Sequence, residues 1–334
     1  MEKSNSLTSS KLAGRNASEA DVYQPWELDN QAWWDWYVTL AEKDHESKLG
    51  IHDVKKFDTG VLLSLKELKS ELNEPYYLNA EQKSKFSKNG FIKIKNMLSE
   101  NAVFTLNNEL SKLMIDQTKQ QKFKKSKFLS MDMLWIQNSF IKEFVLSPRI
   151  GKTISELLNV KSVRLYHDNV LIKRPDCGRT PWHYDMHHFP LATKDVVTAW
   201  IPAQPIPRSM GPLSFAMPID VYKLVENIEF SKFDSSYDEK ISKIFKNRNI
   251  QIESGSFEIG EISFHHNLCF HSAGSNKTSH NRMVLANTYF ANGSKVVEKP
   301  TMVSGDWQKF IPDTKPGEKV STPLNPICWP KANL

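Results

Sequence analysis

The sequence predicts a mainly β protein with flanking helices, its strands closed into a sandwich or barrel. Three observations carry this. From Val163 onward, short runs rich in β-branched and aromatic residues follow one another between turn residues, at 163–166, 170–173, 196–201, 213–216, 261–264 and 284–290. Upstream of them, apolar residues recur at helical spacing. The chain has 334 residues, 40% hydrophobic and 25% charged, enough for a sizeable core, and it holds no apolar run of the length that spans a bilayer.

The elements follow in chain order. Residues 1–20 are polar and read as disordered, with no apolar core of a signal peptide. Residues 21–77 read as a helical, Trp-rich extension. Trp26, Trp33, Trp34, Trp36 and Tyr37 crowd together there, either packing the extension onto the core or forming a stacking wall for substrate. Val61, Leu62, Leu65, Leu68 and Leu72 fall at three- and four-residue spacing, predicting an amphipathic helix. Pro75 ends it. Asn79 is placed to cap a helix running to about Lys88. Asn89-Gly90 then turns the chain into a strand, Phe91-Ile-Lys-Ile-Lys95, whose alternation predicts one wet face. Ser99 caps the next helix, with Val103, Leu106, Leu110 and Leu113 as its stripe. The lysines between Lys119 and Lys127 surround Phe123 and read as a solvated loop or helix end.

Residues 78–334 then read as the β-rich main domain. At about 221–250 a polar, partly helical insertion interrupts the strands, in the manner of a lid over a barrel mouth.

Composition excludes several classes. Lys plus Arg number 44 against 38 Asp plus Glu, a net charge of +6, too slight for a dedicated nucleic-acid binder. Three cysteines without a C-x-x-C give neither a disulfide framework nor a thiolate zinc site. A reducing, cytoplasmic setting is the expectation. The C-terminal Ala332-Asn333-Leu334 is similar to a peroxisomal address, but lacks its basic residue. No membrane or nucleic-acid partner is expected.

The chemistry concentrates in Thr180-Pro-Trp-His-Tyr-Asp-Met-His-His-Phe-Pro190. On a strand, residues two apart share a face, so His183 and Asp185 can converge on one metal ion. His271, far downstream and followed by Ser-Ala-Gly274, supplies a third ligand. Two imidazoles and one carboxylate on one face of an octahedral ion form the facial triad of non-haem Fe(II) oxygenases, leaving sites for a 2-oxo acid and O₂. A triad using His187 with Asp185 stays open as an alternative. Arg282 follows a polar loop that can turn a hairpin, which would set it on the strand neighbouring that of His271. Its planar fork suits the distal carboxylate of 2-oxoglutarate. Tyr184 points to the opposite face and reads as packing. Of His265 and His266, alternation sends one inward and one outward. His167 reads as a surface or hydrogen-bonded residue, and Lys173 and Arg174 as a solvated strand end or an anion site.

On these residues the chain resembles the phytanoyl-CoA dioxygenase family of Fe(II)/2-oxoglutarate oxygenases. The likeness runs over about 78–295. It takes in Leu78 to Ile92, His183-Tyr-Asp185 with His187-His-Phe-Pro190, Thr198-Ala-Trp200-Ile-Pro, Gly211-Pro-Leu-Ser-Phe, Gly260-Glu-Ile-Ser-Phe264 and His271 to Arg282. The resemblance implies a double-stranded β-helix (jelly-roll, cupin-like) core. It implies iron on His183, Asp185 and His271, 2-oxoglutarate on Arg282, and Trp200 near that cosubstrate. Where the family often continues Pro-Gly-Ser-His, this chain reads Met217-Pro-Ile-Asp220, so substrate contacts there do not carry over.

The expected reaction is hydroxylation, or another oxidation, of an unactivated C–H of a small molecule, with 2-oxoglutarate decarboxylated to succinate. The carboxylate at Asp185 disfavours halogenation, which needs that ligand site free. Desaturation, cyclisation or epimerisation on the same iron is one alternative, and a non-catalytic jelly-roll binding protein is another. Nucleic-acid demethylases of this chemistry usually carry a second arginine further along the strand, where Thr288 stands. The positive charge reads instead as an attraction for an anionic small molecule, including 2-oxoglutarate itself.

Overall fold

The structure, a computed structural model, describes residues 51–119, 126–228, 236–301 and 304–330. The Trp26–Tyr37 cluster, His45, Phe123 and the C-terminal tripeptide lie outside these. Among the described residues five helices come first, with two strands threaded among them. Helix α1 (Leu65–Asn73) starts where Ser64 and Glu67 form a reciprocal capping box. It begins later than the apolar spacing predicted, and 51–64 holds no helix. Leu68 and Leu72 are buried, while Val61 and Leu62 are 67% and 51% exposed. The cap overrides the stripe here, because the side chain of Ser64 satisfies the first amides only from that position.

Helix α2 (Ala80–Asn89) is capped by Asn79, and Gly90 closes it in the left-handed conformation. Strand β1 (Phe91–Ile94) follows. Its predicted wet face is covered. Phe91 stacks on Phe215 with ring centres 4.2 Å apart, and the Lys93 ammonium sits 4.0 Å over the Phe257 ring while donating to the Ser256 carbonyl. Helix α3 (Glu100–Thr118) carries Val103, Leu106 and Leu110, all fully buried. Strand β2 (Phe128–Asp132) leads to α4 (Ser139–Val145) and α5 (Pro148–Leu158), capped by Asn138 and Ser147.

The remaining strands are β3 (Val163–Lys173), β4 (Thr180–His183), β5 (Val196–Pro202), β6 (Leu213–Met217), β7 (Gln251–Ser254), β8 (Ile262–His266), β9 (His271–Ala273), β10 (Arg282–Ala291) and β11 (Ile327–Trp329). The runs predicted at 163–166 and 170–173 are one strand. A large sheet has the order β1-β8-β5-β10-β3-β11, with β2 also on β3, and a small sheet has the order β4-β9-β6-β7. From β3 to β10 the chain alternates between them, with β6 and β7 as the hairpin at the small sheet's end. That winding is a double-stranded β-helix.

Helices α1 to α5 cover the outer face of the large sheet. Val197, Ala199, Ile201, Leu285 and Tyr289 meet Phe144, Ile150 and Ile154 there in one apolar cluster. The same face holds two buried polar residues in direct register, Asp168 and Asn287. The Asp168 carboxylate accepts the Leu134 N–H at 2.9 Å, and burial pushes its carboxyl up to about 7.

Lys173 is neither solvated nor an anion site. It is fully buried, and its ammonium donates to the carbonyls of Gly178 and Gly274 at 2.8 Å each. Arg174 donates to the Ser126 carbonyl. Of the lysine run, Lys119 pairs with Asp116 and Lys127 with Asp176. All three cysteines are buried free thiols.

The described part of the insertion comprises a 3₁₀ turn (Ile219–Leu224) and helix α6 (Ser236–Asn247). It packs on the outer face of β4 through Val221, Tyr237, Ile241 and Phe245. Among the described residues, no helix is long and apolar enough to cross a membrane.

Candidate active site

Strand β4 ends at His183, but Tyr184 stays extended, with φ −134° and ψ 149°. Alternation therefore persists one step past the strand. His183 and Asp185 face the barrel interior, while Trp182, Tyr184 and Met186 join the apolar cluster outside. On the neighbouring strand, His271 stands opposite His183 in register, with ring centres 4.2 Å apart. One ligand atom each from His183, Asp185 and His271 lies within 4.8 Å of the others.

The two imidazoles are set alike. Nδ1 of His183 lies 2.8 Å from the Pro181 carbonyl, and Nδ1 of His271 lies 3.0 Å from that of Cys269. A carbonyl only accepts, so each Nδ1 carries the proton and donates it. Each Nε2 then presents a lone pair, 3.8 Å from Oδ1 of Asp185. Burial is the main cause that lowers both imidazoles to about 4, so they are neutral at pH 7. Burial alone would raise the Asp185 carboxyl. The imidazoles of His271, His265 and His183 outweigh it and hold the carboxyl below the usual range. The result is a buried set of two imidazole lone pairs and one carboxylate facing one another. A divalent cation satisfies that set, and its donor types suit Fe(II).

His187 does not join the set. Its ring lies against Tyr184, centres 4.4 Å apart, so the alternative triad is not formed. His265 is the inward member of its pair. Its Nε2 is 3.6 Å from Oδ2 of Asp185 and its ring is 4.5 Å from that of His271. It braces the carboxylate oxygen that faces away from the other two ligands.

Arg282 does not neighbour the strand of His271. That strand, β9, pairs with β4 and β6 in the small sheet, whereas β10 pairs with β3 and β5 in the large one. The loop between them crosses from sheet to sheet. Asn276, fully buried, pins the crossing by donating to the carbonyls of Lys173 and His280. Arg282 thus approaches from the opposite wall. It is 2% exposed. One Nη1 donates to the Gly211 carbonyl at 3.0 Å, while Nε has no hydrogen-bond partner. Burial lowers the guanidinium to about 10, leaving it charged at pH 7. Its Cζ stands 5.4 Å from the Trp200 ring centre. A buried cation with an unused donor is a built receptor for an anion.

His183, Asp185, His271, Arg282 and Trp200 all line one cavity of about 220 Å³. Its other wall is aromatic. Tyr166, Phe189 and Phe310 meet there, with His167 stacked on Phe310 at 4.6 Å. His167 is therefore a cavity residue, not a surface one. The register slips between Thr288 and Tyr289, which leaves Tyr166 without a cross-strand partner. This bulge turns both Tyr166 and His167 toward the cavity, which strict alternation forbids.

The Phytanoyl-CoA dioxygenase (PhyH) family model matches residues 86–284. The chain is 24% identical to human peroxisomal phytanoyl-CoA dioxygenase over 233 residues, 63% of this chain and 67% of that protein. It is 23% identical to the Mus musculus protein over 254 residues, 70% and 73% respectively. Among solved structures it is similar to the non-heme alpha ketoglutarate dependent carbocyclase SnoK from nogalamycin biosynthesis. That match has a TM-score of 0.62 at 19% identity and covers 76% of this chain and 99% of the other. It is also similar to EctD from S. alaskensis with 2-oxoglutarate and 5-hydroxyectoine, with a TM-score of 0.59 at 13% identity, covering 82% and 99%. At these identities the two structures bear on the fold alone.

Proposed function

This chain belongs to the phytanoyl-CoA dioxygenase family of iron- and 2-oxoglutarate-dependent oxygenases, and from that premise we propose that it hydroxylates an unactivated C–H of a small molecule. Bound iron and 2-oxoglutarate supply the oxidising power, with the cosubstrate decarboxylated to succinate. In this reading His183, Asp185 and His271 hold the iron. Arg282 would hold the distal carboxylate of 2-oxoglutarate, and Trp200 would stand beside that cosubstrate.

The observation that carries the proposal is the pairing of two half-sites in one cavity. A ring of acceptors suited to a divalent cation stands on one wall, and a buried guanidinium with a spare donor stands on the other. The substrate takes the remaining aromatic end, between Tyr166, His167, Phe189 and Phe310. Those rings exclude water from the reacting carbon and favour an apolar or ring-bearing group. Among the described residues, the cations lining the cavity are Arg282 and Lys309, so an anionic group on the substrate would meet Lys309. The carbon held nearest the metal decides between hydroxylation and the desaturating, cyclising or epimerising outcomes.

Anaerobic addition of Fe(II) and 2-oxoglutarate should produce the weak visible charge-transfer band of the chelated cosubstrate. A metabolite screen read by succinate release then identifies the substrate. Absence of the band in the wild-type chain would sink the iron reading. Succinate that stays at background with every compound would favour a binding protein.

A further inference from the structure

The insertion after β6 is not needed to close either sheet, yet it grips the strand that carries His183. Asp238, in the first turn of α6, has a side chain 5% exposed. Its Oδ1 accepts the Trp182 N–H at 2.6 Å, and Oδ2 meets Arg179 at 2.5 Å. Strand β4 is the edge of its sheet. Among the described residues no strand lies on that free side, and Asp238 takes up the Trp182 amide in place of one.

The residues around the carboxylate agree. Trp182 packs edge-on against Phe245 of α6, centres 5.3 Å apart. Tyr184 packs on Phe270, which meets Phe245 in turn. Trp182, Tyr184, Met186 and Phe270 thus sit in one cluster with Val221, Ile241 and Phe245 of the insertion. They flank His183, Asp185 and His271 in sequence. Every inward ligand has an outward neighbour held by the insertion.

We infer that the insertion is the scaffold of the metal centre and that Asp238 is a positioning residue for His183. The assignment rests on the iron reading above. A metal ligand on an edge strand has its backbone tied on one side only. Asp238 ties the other side, one residue away, and so fixes where the His183 imidazole stands before any ion arrives.

The test is Co(II) and Fe(II) titration of the full chain under anaerobic conditions, read by affinity and by the visible Co(II) spectrum. Asp238→Ala should weaken both ions about 10- to 100-fold and alter the spectrum, since outer partners of metal ligands carry effects of that size. Asp238→Asn keeps an acceptor for the Trp182 amide and should lose only a few-fold. Ile154→Ala, in the helical layer behind the large sheet, controls for lost stability and should leave metal affinity unchanged. A wild-type affinity and spectrum in Asp238→Ala would overturn the assignment alone. A wild-type chain that takes up neither ion would overturn the iron reading with it. Should Asp238→Ala fail to fold, Asp238→Asn and Arg179→Met decide. Shifted Co(II) spectra support the scaffold, and unchanged spectra and affinities refute it.

Discussion

The two walls of the cavity are built differently. The small sheet presents the metal ligands from an edge strand and its neighbour, and the insertion supports that edge from outside. The large sheet presents Arg282 and Trp200 from β10 and β5, strands paired on both sides and covered by the helical layer. One half-site is held by local clamps, the other by the bulk of the core. On the proposed reading, metal binding and cosubstrate binding should then be separable, each sensitive to substitutions on its own wall.

The strongest test of that separation is His271→Ala. Removing a direct ligand should cost more Fe(II) affinity than losing an outer partner, so more than about 100-fold, and succinate formation should fall to background. Thermal stability should fall little, because the ring lines a cavity. A variant that keeps its iron would break the assignment of the small sheet. Next comes Arg282→Gln. Losing a charge-assisted pair of hydrogen bonds worth about 3 kcal/mol should raise the 2-oxoglutarate requirement about 100-fold. Fe(II) affinity should change by less than about threefold if the half-sites are independent. Arg282→Lys should not restore the cosubstrate, since an ammonium lacks the fork.

The third test concerns the back of the large sheet. The folded Asp168 carboxyl is raised to about 7, against an unfolded value near 4. The folded state therefore holds this proton longer. Its contribution is fully present below about pH 4 and is lost as pH rises through 7. Asp168→Asn should flatten that part of the pH–stability curve and raise the melting temperature by a few degrees at pH 8, read by circular dichroism. A steeper curve would reverse the sign. The smallest effect expected is at Thr288. Its hydroxyl pairs with that of Thr198 at 3.0 Å on the inner face. Thr288→Val should cost about 1 kcal/mol, or about 2–4 °C, with metal affinity untouched.

Much of this was legible in the chain. Spacing put His183 and Asp185 on one face because extended backbone has a fixed period of two, whereas His271 rested on the downstream His271-Ser-Ala-Gly274 segment. Caps at Asn79 and Ser99 marked their helices because an orphan amide has few other partners. What escaped was long-range. Nothing near Arg282 tells that the loop before it changes sheets, because its pinning partner at Lys173 is distant in sequence. Lys173 looked like a strand-end cation because its carbonyl partners come from Gly178 and Gly274. His167 was misplaced by a one-residue bulge, and Asp238 carries no motif at all.

The close pass of two glycines where β6 and β9 meet has a consequence of its own. Gly211 has φ +78°, and a Cβ there would lie 2.3 Å from the Gly274 carbonyl oxygen. The same Gly211 offers its carbonyl to Arg282. Gly274 lies three residues beyond His271, so bare main chain here touches both half-sites together. Elsewhere the walls can drift apart in evolution, each tuned by its own side chains. At this joint there is no side chain to trim or enlarge, so any change moves the arginine and the histidine turn as a pair. A chain evolving toward a longer or shorter cosubstrate would have to bend its backbone here, which makes the substrate end, with its exchangeable rings, the easier place for new specificity to arise.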